Sequence, residues 1–190
     1  MRAFDYIILF FSFVFALGLT HLLLASARMI RLRRQIVFSW PHALWMLVAL
    51  LTLGGNWLSF WDFHDQRLLT LPVIIGGFGM VILQYYVCAL VAPEFEDGQD
   101  LDLRRFHLDE GRTYLIALMA LWLYAIVVNA LSANATGAQA WARQNLVVLL
   151  GFAPIAAALV FRQRPVQLLA PLVVIALSAL QIALYYPVLR

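Results

Sequence analysis

Polar side chains inside long apolar stretches are the residues of this chain that could do chemistry. His21 lies within the first such stretch, about two helical turns before Arg28. Gln84 and His42, in the third and second stretches, are expected at comparable depths. A polar group in this setting is costly and is therefore a functional candidate by default. His21 could carry a proton or contact a ligand; the structural alternative is a neutral imidazole bonded to a neighbouring helix.

The same histidines raise the question of a haem group. Neutral imidazoles on two helices at similar depth are the minimal requirement for a b-type haem, so His21 and His42 are its candidate axial ligands. Two histidines in a chain of this length are weak support for haem. We therefore expect no cofactor and keep haem b as an alternative.

Two apolar stretches carry residues that could interrupt a helix. The second contains Gly54-Gly55-Asn56, and the fifth contains Gly151 and Pro154, at corresponding places in the two halves of the chain. A broken helix exposes backbone groups to a ligand, and paired interruptions are typical of transporter sites. Small residues also let helices pack closely, which the sequence slightly favours, and the two roles can coexist.

These observations define a candidate set for binding a substrate or an ion. Neutral amides in the set could line a polar passage, or could form interhelical hydrogen bonds of about 0.6–2 kcal/mol each, which is their more common role. The candidates are His21, Gly54, Gly55, Asn56, Gln84, Asn129, Gly151 and Pro154.

Several chemistries are excluded or disfavoured. Apart from the span ends, the apolar stretches contain no Asp, Glu or Arg, which disfavours a proton relay built on a buried carboxylate. Cys88 is the only cysteine, so neither an intrachain disulfide nor a thiolate metal cluster can form. The sequence contains no GxSxG, HExxH, Walker or GxGxxG motif. The sequence therefore predicts no catalytic residue, no metal site and no nucleic-acid partner, and an enzyme is not favoured.

The elements that position these residues are membrane-spanning helices. Hydrophobic residues make up 64% of the chain and charged residues 12%, against roughly half and a quarter in soluble domains. The mean hydropathy is +0.87. We predict an all-α bundle forming one domain over residues 1–190, with a weak 3+3 inverted repeat as an open question. The predicted spans are 6–27, 43–61, 71–92, 113–133, 146–161 and 166–188.

The longest link between predicted spans is the acidic segment 93–112. It has neither the ligand spacing nor the glycine of an EF-hand loop. A solvated cytoplasmic linker is expected, although its apolar residues would allow part of it to lie along the membrane as a short amphipathic helix.

Arginine placement predicts the orientation of the bundle. Nine arginines fall at one set of span ends and four at the other, and the positive-inside rule puts the nine in the cytoplasm. Both termini are then periplasmic in a bacterial inner membrane. The first cluster is also expected to meet anionic lipid headgroups. It comprises Arg28, Arg31, Arg33 and Arg34.

Three hypotheses for function remain open. The first is a transporter or channel for a small solute or ion. The second is a non-transporting accessory or scaffold subunit whose small-residue faces dock partner helices. The third is a haem-carrying redox subunit. Membrane lipid is an expected partner in all three, and a homo-oligomer or a partner membrane subunit is compatible with each.

Overall fold

The computed structural model describes residues 3–60, 71–94, 101–132 and 138–185, and they form six helices and one short strand pair. Because hydrocarbon offers the backbone no hydrogen-bond partners, a chain this apolar satisfies its amides within helices. The helices are α1 (Ala3–Arg31), α2 (Trp40–Ser59), α3 (Leu71–Val91), α4 (Leu103–Ser132), α5 (Ala138–Val160) and α6 (Arg164–Tyr185).

The all-α membrane bundle predicted from the sequence is confirmed. Five helices (α1, α2, α3, α4 and α6) are long and apolar enough to cross a bilayer. Within the described side chains of α5 the apolar part is shorter, Asn145–Val160. α5 itself begins at Ala138, eight residues before the predicted start of the fifth span.

The acidic linker 93–112 is shorter than predicted. Its second half is helical, because α4 already begins at Leu103. Asp102 caps this helix: its Oδ1 accepts the backbone N–H groups of Arg104 at 2.8 Å and Arg105 at 3.0 Å. A carboxylate at this position satisfies amides that have no partner in the first turn of a helix. Residues 95–100 of the linker lie outside the described residues.

A two-residue strand pair, which the sequence analysis did not predict, ties two connections together. Strands β1 (Ile36–Val37) and β2 (Leu101–Asp102) run parallel, with Ile36 opposite Leu101. β1 follows the arginine cluster at the end of α1, and β2 precedes Arg104 and Arg105. The pair therefore holds these arginines at one end of the bundle, as the arginine count had predicted. We call it the arginine end.

Helix α2 has the most central position in the bundle. The outer contacts run α1–α3–α4–α5–α6, and α2 packs against α1 and α6 and also reaches α3 and α4. It is buried over a larger share of its length than the other four long apolar helices. Side chains on its buried face therefore lie among other helices rather than in lipid.

The helix packing does not reproduce a 3+3 repeat. In the first half α1 packs extensively on α3, whereas α4 and α6 make no comparable contact in the described residues. The equivalent helices of the two halves thus have different neighbours.

Glycines mark the closest helix approaches. A Cβ at Gly151 on α5 would lie 2.2 Å from Cζ3 of Trp122 on α4, a ring that is itself buried. By contrast, a Cβ at Gly54 on α2 would have nothing within 4 Å. The packing role predicted for small residues thus applies to Gly151 but not to Gly54 within this chain.

We predict that Gly151→Ala destabilises the bundle by about 1–3 kcal/mol, because the added methyl overpacks a rigid indole. Gly54→Ala is the matched control and should leave stability unchanged or slightly higher. Thermal unfolding of the two variants in detergent, followed by circular dichroism, measures the difference. Equal midpoints for Gly151→Ala and the unchanged protein would show that α4 and α5 do not approach this closely.

Candidate internal polar site

One face of α2 carries a row of polar side chains through the centre of the bundle. His42, Trp45, Thr52 and Asn56, together with Ala49, are spaced alternately by three and four residues, which puts them on one side of a helix. We call the four polar residues the α2 polar stripe. From His42 to Asn56 the stripe is about 21 Å long, at 1.5 Å per residue, against a hydrocarbon core of about 30 Å.

His42 occupies the arginine end of the stripe and is completely buried, with 0% of its surface exposed. Its ring meets Phe106 edge-on at 5.1 Å between centroids and Tyr114 at 6.2 Å. Among the described residues neither Nδ1 nor Nε2 has a hydrogen-bond partner. A neutral imidazole has one donor and one acceptor, and leaving each buried and unpaired costs about 1–3 kcal/mol.

The middle of the stripe also carries buried polar atoms without a hydrogen-bond partner among the described residues. They are the Nε1 of Trp45 and the hydroxyl of Thr52. A helical threonine usually bonds the carbonyl four residues earlier. Thr20 on α1 does so, donating to the oxygen of Ala16 at 2.7 Å, whereas Thr52 does not. The hydroxyl of Thr52 therefore remains available to a bound species.

At the far end, the stripe reaches an amide pair between α2 and α3. The Nδ2 of Asn56 donates to Oε1 of Gln84 at 2.7 Å, and the Nε2 of Gln84 lies 3.4 Å from Sγ of Cys88. Two residues of the predicted binding set thus come together. The prediction that His42 and Gln84 lie at similar depth is wrong, because Gln84 meets α2 fourteen residues beyond His42.

A second polar cluster adjoins His42 at the arginine end. The Nε2 of Gln167 on α6 donates to the carbonyl oxygens of Ala158 and Phe161, both at 2.7 Å. These carbonyls close the end of α5, where helical acceptors have no partner in their own helix. The amide of Gln167 is thereby fixed, and its Oε1 can only accept a hydrogen bond.

This orientation determines the tautomer of His107 on α4. Its Nε2 lies 3.0 Å from Oε1 of Gln167, and since that oxygen accepts, Nε2 carries the hydrogen. In the neutral ring Nδ1 is then an acceptor, and the hydroxyl of Tyr114 donates to it. A directed chain of hydrogen bonds therefore runs from Tyr114 through His107 and Gln167 to the end of α5.

The cluster borders a small cleft at the arginine end. Its volume is about 20 Å³, and roughly 10–15 Å³ is enough to hold one water molecule. Two arginines on the cleft wall, Arg112 and Arg162, are exposed to solvent. The lining residues include His107, Gly111, Arg112, Leu115, Arg162 and Gln167.

The structure does not bring His21 and His42 together. His21 is exposed on α1, and its Nε2 lies 3.3 Å from the hydroxyl of Tyr85 on α3. His42 contacts Phe106 and Tyr114 on α4 instead. In the described residues the side chains that meet the two imidazoles thus lie on different helices, and haem b stays an untested alternative.

Neither predicted helix interruption occurs. α2 is helical through Gly54, Gly55 and Asn56, and α5 is helical through Gly151 and Pro154. Membrane helices tolerate glycine and a single proline, because neighbouring groups and small local adjustments satisfy the backbone carbonyl that proline frees. The polar site of this bundle is built from side chains rather than from exposed backbone.

Asn129 joins a separate pair between α4 and α5. Its Nδ2 donates to Oδ1 of Asn145 at 3.0 Å, and Asn145 donates in turn to the carbonyl of Trp141 at 2.9 Å. Every polar atom named here is paired, so this contact fits the interhelical role considered for the amides. Asn129 is not part of the α2 stripe.

The arginines expected at lipid headgroups are exposed beside β1. They are Arg28, Arg31, Arg33 and Arg34. The ion pair of Arg105 with Asp109, 3.5 Å apart, is also at this end and is largely solvent-exposed. Exposed pairs of this kind contribute little to stability. Of the four arginines predicted for the opposite end, Arg2, Arg67 and Arg190 lie outside the described residues, as does the side chain of Arg143.

Comparison of the whole chain with protein-family models, curated proteins and solved structures gives no match.

Much of this site was not predicted from the sequence. His107 was assigned to a solvated linker, and Tyr114 was not a candidate for a site. Gln167 counted among the neutral amides that could line a polar passage, but not in the candidate binding set. The three–four spacing of His42, Trp45 and Thr52 was visible in the sequence and could have identified the polar face of α2.

We predict that Gln167→Leu destabilises the bundle by about 1–3 kcal/mol, because the carbonyls of Ala158 and Phe161 and the ring of His107 lose a partner. Gln181→Leu is the matched control: it lies on the same helix, is half-buried and has no hydrogen-bond partner among the described residues. Thermal unfolding in detergent compares them. The same loss in both variants would mean that the hydrogen bonds of Gln167 do not hold the end of α5.

Proposed function

We propose that this protein is a transporter or channel that lets a small solute or ion cross the membrane along the α2 polar stripe. The observation that carries the proposal is the set of buried, unpaired polar atoms on one helix face, contributed by His42, Trp45 and Thr52. In hydrocarbon such atoms are costly, and they persist where they face a substrate pathway.

A purely structural role accounts less well for the stripe. Interhelical polar contacts stabilise a membrane bundle when donor meets acceptor, as in the pair Asn129–Asn145. The stripe does not follow this pattern at three of its four positions. Polar atoms arranged along one line, and not bonded to each other, are suited to a species that passes from one to the next.

The size of the cleft at the arginine end supports a small substrate. The cleft at the arginine end has a volume of about 20 Å³. A molecule of the size of water fits such a space, whereas a sugar or an amino acid does not. We therefore propose substrates of a few heavy atoms, or ions that move through hydrogen-bonded groups.

The proposed orientation rests on the arginines. All nine arginines expected in the cytoplasm lie in the described residues, at the ends of α1, α4, α5 and α6 that meet at the arginine end. We propose that this end is cytoplasmic and that both termini are periplasmic in a bacterial inner membrane.

A cysteine at Gln163, in a Cys88→Ser background, should react with an impermeant maleimide only after the membrane is permeabilised. Labelling in intact cells would show instead that the arginine end faces the periplasm.

One observation favours a second candidate function, that of an accessory subunit. Gly54 and Gly55 leave open space on α2, since a Cβ at either position would meet nothing within 4 Å. Small residues on a helix face allow a partner helix to approach closely. Under this proposal a second membrane protein or another copy of the chain covers the glycines. Stoichiometric co-purification that is lost in Gly55→Leu, without any solute flux, would support it.

We predict that Thr52→Val lowers permeation about two- to thirteenfold, the effect of losing one hydrogen bond of roughly 0.5–1.5 kcal/mol. Valine has the shape of threonine but no hydroxyl. Proteoliposomes would be tested for water and urea permeation by stopped-flow light scattering, and for proton permeation with an enclosed pH-sensitive dye. At least one of these probes should cross faster than in protein-free vesicles.

Thr20→Val is the matched control for this substitution. Thr20 is lipid-exposed on α1, and its hydroxyl is already bonded within its own helix. It should leave permeation unchanged. The proposal fails if none of the three probes crosses faster than in protein-free vesicles, or if the two valine variants behave alike.

A further inference from the structure

The face that α1 and α3 form together on the outside of the bundle carries polar side chains. His21 on α1 and Tyr86 on α3 are both exposed, and Tyr86 has 53% of its surface accessible. Tyr85 contacts both of them: its ring centroid lies 5.5 Å from that of His21 and 5.9 Å from that of Tyr86. The three residues thus form one continuous polar patch, which we call the α1–α3 patch.

This patch lies at the depth of the hydrocarbon core. His21 precedes Arg28 by seven residues, and Tyr86 precedes Val91, the last residue of α3, by five. At 1.5 Å per residue these separations are about 10 Å and 8 Å. Both helices run toward the arginine end, and helical side chains lean toward the start of their helix. The imidazole and the phenol therefore lean toward the middle of the membrane and away from the charged surface.

Two polar groups of the patch have no partner among the described residues. The Nε2 of His21 lies 3.3 Å from the hydroxyl of Tyr85, which leaves Nδ1 unpaired. The hydroxyl of Tyr86 is unpaired as well. Acyl chains offer neither a donor nor an acceptor, so the exposure of these groups to lipid is costly. A protein surface that covers the patch removes this cost.

We propose that the α1–α3 patch is the centre of a homodimer interface and that a second copy of this chain covers it. The two copies are related by a twofold axis that is perpendicular to the membrane and passes near Tyr85. Such an axis keeps every residue at its own depth and exchanges the two sides of the face. His21 of each copy then meets Tyr86 of the other.

The chemistry of the patch favours a copy of the same chain. A neutral imidazole has one donor and one acceptor, and a phenol hydroxyl can act as either. The unpaired Nδ1 of His21 and the unpaired hydroxyl of Tyr86 are therefore complementary in both tautomers. They flank Tyr85, which is the arrangement that a twofold axis requires. Two reciprocal hydrogen bonds thus satisfy both copies, whereas a different protein would have to supply two matching groups at the same depth.

The remainder of the same face is apolar. Toward the start of both helices, Phe10 and Phe78 stack with their centroids 5.9 Å apart, and 49% and 42% of their surfaces are exposed. Leu17, between Phe10 and His21 on α1, is also exposed. Lipid tails are as apolar as these side chains, so they give little preference for a protein neighbour over lipid. The hydrogen bonds of the patch therefore supply the specificity of the interface.

Disulfide cross-linking in native membranes locates the interface. In a Cys88→Ser background, Ile82→Cys places a thiol one turn before Tyr85 on α3, near the proposed axis, and the two copies should cross-link. Val173→Cys is the matched control, because Val173 is exposed on α6 and lies nine residues from the arginine end of its helix, as Ile82 does. It should stay monomeric. Equal cross-linking at both positions, or a product of Ile82→Cys that contains a different protein, would overturn the proposal.

The substitution Tyr86→Phe tests the hydrogen bonds themselves. Energy transfer between donor-labelled and acceptor-labelled copies measures dimerisation in proteoliposomes over a range of protein-to-lipid ratios. Tyr86→Phe keeps the ring and should weaken association about sevenfold, the equivalent of two hydrogen bonds of about 0.6 kcal/mol each. Tyr6→Phe is the matched control and should match the unchanged protein. Tyr6 is exposed near the start of α1, at the membrane surface, where water can bond its hydroxyl.

A double-mutant cycle separates the pairing from general packing. If His21 and Tyr86 bond across the interface, Tyr86→Phe has no further effect once His21→Leu has removed its partner. An undiminished loss in the His21→Leu background would overturn the pairing. A protein that stays monomeric at every ratio, or a Tyr86→Phe variant that dimerises like the unchanged protein, would overturn it too. The test measures association alone, so its outcome does not depend on whether a solute crosses the membrane.

Discussion

The structure depends on one constraint: within hydrocarbon, a polar group has no water to bond and must find its partner inside the protein. Most polar groups of the bundle satisfy this rule. Asn129 bonds Asn145, and Gln167 closes the end of α5 while it orients His107. Among the described residues the buried exceptions are three of the four positions of the polar stripe on α2 and Nε1 of Trp141 on α5. Most of the unpaired atoms therefore lie on one face of α2.

The fold follows from the same constraint and places the exceptions at its centre. Apolar helices enclose α2, and nine of the thirteen arginines lie at one end, where β1 and β2 join two connections. The stripe thus begins beside the charged surface at His42 and ends at the Asn56–Gln84 pair, near the other end of α2. A buried line of polar atoms that runs most of the way across a membrane bundle is costly, and transport is the role that we propose for it.

Hydropathy alone predicted the helices well, because each span must be about 20 apolar residues long. It predicted their polar ends less well: the start of α4 was taken as linker, since His107 and its acidic neighbours look solvated until Gln167 from a distant helix covers them. The candidate residues were predicted in part. Asn56 and Gln84 do meet, but Gly54 lies in an unbroken helix, because glycine composition does not reveal whether neighbours or partners fill the space beside it. Which side chains pair across helices depends on packing that hydropathy and helical spacing do not reveal.

The central claim is that the face of α2 from His42 to Asn56 serves a mobile polar species. An experimental density map of the protein in a lipid nanodisc, at a resolution that shows ordered solvent, tests this claim most directly. We expect solvent density within hydrogen-bonding distance of the His42 imidazole and the Thr52 hydroxyl. Carbon atoms packed on all sides of both groups would contradict the account.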